Sequence, residues 1–257
     1  MKWVRFLVCV SFGLVWGPMA LAKEPSFVLE KCEINLHDKA SLQRGAALYV
    51  NYCLGCHSLK YMRYDQLGRD LKIVDEEGKV LEKLIVDNLN FLSDKITDPM
   101  TNSILPNDAL NWFGIPPRDL SVVARFRGKD WLYTYLKSFY TDDARIVGVN
   151  NLIFKDVAMP HSLINLQGEQ VPIYRPAESI GDHAVQDIMG VKLSKSGLLS
   201  PAEYDKALVD LVNFLEYVGE PTKQVREQKG AGVLLFLVIF TIFAYLLKRE
   251  YWKDIVK

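Results

Sequence analysis

The chain opens and closes on uncharged apolar runs, and between them apolar and polar residues alternate with the periods of regular structure. Residues 6–22 and 230–247 carry no charged side chain. Between these runs, Leu42, Ala46, Tyr49, Val50 and Cys53 recur at three- and four-residue steps. That spacing predicts a helix over 38–57, with Asp38 or Ser41 as its cap. Gly45 weakens such a helix, so its presence signals close packing against another element. A turn is expected at Asp75–Gly78, and Ile115-Pro116-Pro117 is a rigid extended break. Residues 119–140 are aromatic-rich and predict a helix, with Trp131, Tyr135 and Phe139 at four-residue spacing; core packing accounts for most of that stripe. Leu163-Ile164 and Val171-Pro172-Ile173 flank Gly168, the pattern of a hairpin over 163–175. The clearest soluble helix is 200–218. Ser200 caps it, Pro201 takes its first turn and Glu203 completes a capping box. Tyr204, Leu208, Leu211, Leu215 and Val218 form its apolar stripe, Gly219 ends it and Pro221 prevents resumption.

The two apolar runs are membrane signals of different kinds. Lys2 and Arg5 precede the first, and Ala20-Leu21-Ala22 ends it with a small-x-small cleavage pattern. Residues 1–22 therefore read as a cleaved secretory signal rather than a permanent anchor. The second run, 230–247, lies between Lys229 and Lys248. As a helix it would extend about 27 Å, the thickness of a hydrocarbon core. Tyr245, Tyr251 and Trp252 suit the membrane interface. A buried core helix is the other reading, and an apolar character on every face argues against it. The expected organisation is a signal at 1–22, an exported body at 23–229, an anchor helix at 230–247 and an inner tail at 248–257. A short charged linker, 220–229, joins body to anchor.

Composition narrows the class. Thirty-one basic and 31 acidic residues cancel, which removes the basic excess of a nucleic-acid binder. The cancellation is a sum over compartments: the signal and the tail are each +2, and residues 23–247 hold 25 basic and 29 acidic side chains. A mildly acidic exported body suits a basic partner through steering. Four cysteines are too few for a disulfide scaffold of this length, and Cys9 leaves with the signal.

Cys53-Leu54-Gly55-Cys56-His57 carries the chemistry. C-x-x-C-H is the attachment pattern of a c-type haem. Two cysteines three apart on one turn reach the two vinyl groups on one porphyrin edge, and the following histidine addresses the iron. One such motif implies one covalently attached haem c. Two other readings compete. A redox dithiol also uses C-x-x-C, but it needs a strand leading into the motif, and here the pattern leading in is helical. A closed zinc site needs four ligands, and no second C-x-x-C exists. Cys32 has no evident partner.

The second axial ligand comes from elsewhere: Met62, Met100, Met159, Met189, His37, His161 or His183. Met159 is favoured because Pro160 stiffens its approach, with His161 as the nearest rival. Haem propionates want basic partners, and Arg125 and Arg127 follow the Pro-Pro break. Their spacing fits a solvated face equally well.

These residues resemble the cytochrome c1 family in its proteobacterial form. The resemblance covers nearly the whole mature chain. It rests on LQRGAALYVNYCLGCHSLKYMRYDQL at 42–67, WFGIPPRDLSVVARFRGKDWLYTYLKSFY at 112–140, VAMP at 157–160, and the anchor with YWKD at 251–254. It implies a mainly α fold: a class I cytochrome c-like haem domain with long insertions and one C-terminal transmembrane helix. It implies thioether links at Cys53 and Cys56, His57 and Met159 as axial ligands, and Arg127 at the propionates. The family's Pro-Pro-Asp-Leu-Ser here reads Pro116-Pro117-Arg118-Asp119-Leu120-Ser121, longer by one residue.

The activity implied by the resemblance is electron transfer in the respiratory quinol–cytochrome c oxidoreductase, the bc1 complex, without a substrate-converting site on this chain. Electrons would pass from the Rieske iron–sulfur protein to a cytochrome c, with the anchor beside cytochrome b in a dimeric complex of the bacterial inner membrane. The haem domain would then be periplasmic and the C-terminus cytoplasmic. The alternative is another membrane-anchored monohaem cytochrome that shuttles electrons to a terminal oxidase.

Overall fold

The computed structural model describes residues 27–92, 95–175 and 188–253. The expected signal at 1–22 and His183 lie outside them. The core is organised by two crossing helices far apart in sequence. Helix α1 spans Lys39–Tyr52, and the Asp38 carboxylate accepts the Ser41 N–H at 3.0 Å as its cap. The last long helix of the body spans Pro201–Gly219 with the expected Ser200–Glu203 capping box formed. Leu42, Ala46, Tyr49 and Val50 of α1 are buried together with Tyr204, Leu208, Leu211, Phe214 and Leu215 of the later helix.

Gly45 is the point of closest approach. A Cβ there would fall 2.1 Å from the Asp210 carbonyl oxygen, so only glycine allows the crossing. Arg44 grips the Asp210 carboxylate through two N–H donors, at 2.6 and 2.9 Å. Asn213 donates from Nδ2 to the Asn35 carbonyl and to Ser41 Oγ, each at 2.9 Å. The Asp210 carboxylate and Asn213 Nδ2 are thus buried with partners, while Asn213 Oδ1 is buried without one.

Between the two helices the chain is broken into short pieces. β1 (Leu59–Arg63) pairs antiparallel with β2 (Pro99–Met100). The intervening segment holds α2 (Tyr64–Asp70), a bridge between Val74 and Val80 around the expected turn, and α3 (Glu82–Asn88). α4 (Pro106–Phe113) follows and ends at Gly114 in the left-handed region. The expected helix over 119–140 is divided. α5 (Val123–Arg127) and α6 (Lys129–Lys137) are separated by Gly128, whose φ of 87° no helix accommodates. From Phe139 the chain is extended: β3 (Phe139–Thr141) pairs with β4 (Val149–Asn151).

The expected hairpin over 163–175 is replaced by a different arrangement. Leu163-Ile164 leads into a helical turn, α7 (Ile164–Gln167). β5 (Gly168–Tyr174) finds its partner in β6 (Ile188–Ser196) instead. Gly168 is not a hairpin tip. It begins a strand at a close approach, where a Cβ would sit 2.1 Å from the Lys195 carbonyl oxygen.

The Pro201–Gly219 helix is α8, and α9 runs from Lys223 to Trp252. The stretch 220–229, expected as a linker, is therefore helical from Lys223 onward, and the apolar run 230–247 is the middle of one 30-residue helix. That helix is long and apolar enough to cross a membrane, and none of its apolar window is buried against the body. The fold is thus mainly α, with three separate two-stranded pairings among the described residues.

Candidate haem site

The C-x-x-C-H motif sits where α1 ends. The expected helix stops at Tyr52, and the motif forms the turns that follow. Cys53 N–H still bonds to the Tyr49 carbonyl at 2.8 Å, and His57 N–H returns to the Cys53 carbonyl at 2.8 Å. Two side chains fix the motif's backbone: the Tyr49 hydroxyl donates to the His57 carbonyl, and Asn102 Nδ2 donates to the Cys56 carbonyl. Neither residue stood out in the sequence, because Tyr49 reads as part of an apolar stripe and Asn102 is remote.

His57 is oriented by the loop after the Pro-Pro break. Its Nδ1 lies 2.6 Å from the carbonyl oxygen of Arg118. A carbonyl only accepts, so Nδ1 carries the proton and Nε2 keeps a free lone pair. Burial lowers the His57 pKa below the ordinary imidazole value, although the Arg118 bond and Asp119 oppose that shift. Neutral imidazole with an available Nε2 is the form that ligates a metal.

Asp119 clamps the same loop. Its carboxylate accepts from Lys60 N–H at 3.0 Å and from Ser121 N–H at 2.9 Å. Leu120 N–H bonds to the Ser58 carbonyl at 2.9 Å. The loop is thereby stitched to the residues just beyond His57.

The two cysteines form no disulfide. Burial first, and then Cys56, push the Cys53 thiol up to about 12. A redox dithiol needs a depressed thiol pKa, so this environment disfavours that chemistry. Among the described residues no three His, Cys, Asp or Glu side chains gather as a metal site.

The candidates for the second ligand differ in their surroundings. Met62 and Met100 are fully buried in the main core, Met189 is exposed on β6, and His37 is exposed before α1. His161 is buried, its ring stacked on Phe139 at 4.8 Å, and its Nε2 lies 2.7 Å from Gln167 Oε1. That nitrogen is engaged. Met159 is half-buried beside a second, smaller apolar cluster of Phe139, Val149 and Val157, and its sulfur lies 3.5 Å from the Tyr135 hydroxyl. The stripe Trp131, Tyr135, Phe139, expected as core, thus also forms the wall behind Met159.

The two arginines are placed differently. Arg125 lays its aliphatic stem on α8, where a Cβ on Gly219 would come 3.2 Å from its Cγ. The Arg127 guanidinium lies 4.7 Å from the Trp131 ring centroid, 5.2 Å from Phe126 and 5.8 Å from Phe154. No ion pair engages it among the described residues. An exposed guanidinium beside three aromatic rings and without a carboxylate suits an anionic ligand group. Trp112, Ile115, Val122 and Phe126 flank the loop that meets His57 and are exposed. Large apolar side chains in water beside this motif are what a porphyrin face would cover.

A neutral buried thiol, a histidine with one nitrogen tied off and the other free, and an unpaired guanidinium fit a covalently attached porphyrin. With the long apolar helix α9, the chain has the makings of an anchored c-type cytochrome. The Cytochrome C1 family matches residues 30–188 and 195–255. Cytochrome c1 of Allochromatium vinosum is 48% identical over 252 residues, covering 98% of this chain and all of that protein. The ammonia monooxygenase gamma subunit of Nitrosomonas europaea is 40% identical, covering 99% of this chain and all of its own length. A protein named cytochrome b/c1 from Bradyrhizobium diazoefficiens is 25% identical over 84% of this chain and 34% of its own length. The chain belongs to the cytochrome c1 family, whose members carry covalently attached haem c.

Proposed function

We propose that this protein is the haem c subunit of a quinol–cytochrome c oxidoreductase. It takes one electron at a time from a Rieske iron–sulfur protein and passes it to a cytochrome c. Cys53 and Cys56 would form the thioether links, and His57, through Nε2, and Met159 would ligate the iron. Arg127 would hold the propionates, and Arg125, on the same helix α5, is the second candidate for them. Haem c supplies the one-electron centre; the chain fixes it, tunes it and excludes water from it. A thioether ligand favours a higher potential than a second imidazole would. The apolar wall around Met159 acts in the same direction by disfavouring the more charged oxidised state.

The observation that carries the reading is His57. It follows the second cysteine directly, and the Arg118 carbonyl fixes its tautomer so that Nε2 is free. Helix α9 supports a single-pass anchor. We place the body in the periplasm, the tail in the cytoplasm and the helix in the inner membrane, with residues 1–22 removed on export. The double name of the Bradyrhizobium relative supports cytochrome b as the neighbour of the anchor. A dimeric complex follows from the same reading.

The test is purification of the full chain from its own membranes in mild detergent. The denatured protein is expected to retain haem covalently, and the native preparation is expected to bring haem b and a Rieske centre with it. A preparation with covalent haem but neither companion would overturn the bc1 reading in favour of an independent anchored cytochrome. Absence of covalent haem would overturn the cytochrome reading altogether.

A further inference from the structure

The aromatic wall behind Met159 contains one polar atom aimed at the sulfur. We propose that Tyr135 is a positioning residue that raises the affinity of the haem iron for an electron by donating its hydroxyl hydrogen bond to Sδ of Met159. The inference rests on Met159 as the distal ligand. The donor and the sulfur are 3.5 Å apart, within range for the large, soft acceptor. The ring is held from several sides. Trp131 stacks on it at 4.9 Å with the planes 8° apart, Phe139 meets it edge-on at 5.1 Å and Phe154 at 6.3 Å. Its backbone is fixed too, since Asn151 Nδ2 donates to the Tyr135 carbonyl at 2.8 Å. A hydroxyl clamped on this many sides cannot rotate away with its ring.

The chemical consequence follows from the sulfur's two lone pairs. One ligates the iron, and a hydrogen bond to the other withdraws electron density from both. A poorer sulfur donor stabilises ferric iron less than ferrous iron, whose demand for donation is lower. The hydrogen bond therefore favours the reduced state. A neutral hydrogen bond shifts an equilibrium by roughly fivefold. At 59 mV per decade for one electron, that is about 40 mV.

The experiment is a redox titration of the haem-loaded full chain, with the far-red sulfur-to-iron charge-transfer band recorded alongside. Tyr135→Phe keeps the ring packing and removes the donor. It is expected to keep the band and to lower the reduced-to-oxidised ratio at fixed potential by roughly fivefold. A fluorinated tyrosine placed at 135 is a stronger donor and moves the ratio the other way; it decides the matter if the phenylalanine variant fails to retain haem. An unchanged potential with the band intact in either variant overturns the inference while leaving Met159 as the ligand. Met159→Leu separates the two ideas. A band that is missing from the unsubstituted protein, or that survives Met159→Leu, overturns the ligand assignment and the inference with it.

Discussion

Gly45→Ala tests whether the α1–α8 crossing holds the body together. The added methyl would lie 2.1 Å from the Asp210 carbonyl oxygen and 2.7 Å from Phe214 Cβ. Comfortable contact begins near 3.5 Å, so the helices must part by on the order of 1 Å. Overpacking of this kind costs about 3 kcal/mol. Parting the helices also stretches the Arg44–Asp210 pair and the Asn213 hydrogen bonds, at about 1 kcal/mol more. Alanine's better helix propensity returns about 1 kcal/mol. The net loss is therefore about 3 kcal/mol, or a fall in Tm of about 6–12 °C for a body of this size. The assay is thermal unfolding of the detergent-solubilised full chain, followed by near-ultraviolet circular dichroism. Gly190→Ala is the control, since nothing lies within 4 Å of a Cβ at that position on β6. It should change Tm by less than about 2 °C. A Gly45→Ala protein that melts at or above the parent temperature would show that the crossing is not close-packed, and the account of the core would fail.

Asp119→Ala removes the acceptor shared by Lys60 N–H and Ser121 N–H. It should lower the denaturant midpoint by an amount equivalent to about 2 kcal/mol, with Asp119→Asn recovering part of it; an unchanged midpoint would remove Asp119 from the loop clamp. Asp130 gives a pH test. The hydrogen bond from Lys31, followed by that from Cys32 N–H, lowers its carboxyl pKa from 3.8 to about 2. Because the folded value lies below the unfolded one, the contribution is full above about pH 4 and is lost as pH falls toward 2. The stability difference between the parent and Asp130→Asn, from denaturant titrations, should be flat from about pH 5 to 8 and shrink below about pH 4. A difference independent of pH down to 2 would contradict it.

What the sequence made legible was local. C-x-x-C-H is read from five adjacent residues, and the Ser200–Glu203 box from four. Gly45 announced a close approach without saying to what, because Asp210 and Phe214 are remote in the chain. The misreadings have the same origin. The hairpin expected over 163–175 joins two neighbouring apolar segments across Gly168, whereas the strand at 168–174 pairs with 188–196. The helix expected over 119–140 is divided at Gly128, whose positive φ separates α5 from α6. Residues 223–229 looked like a linker because they are charged. Lys, Gln, Glu and Arg are also good helix formers, and they continue into the apolar run. Arg118, Asp119, Asn102 and Tyr135 act across long loops. Their hydrogen bonds to the motif, to β1 and to Met159 have no short-range signature.

The uninterrupted course of α9 has a mechanical consequence. Residues 223–229 rise about 10 Å as a helix before the apolar run begins. They are not a free stalk. Gln224 donates to the Leu36 carbonyl, Arg226 pairs with Glu220, and Lys223 lies 3.8 Å from Glu216. A body joined this way keeps one height and one tilt above the bilayer instead of swinging on a tether. Whatever exchanges electrons with it must arrive at that fixed altitude, so the search for its docking face is confined to a thin layer over the membrane.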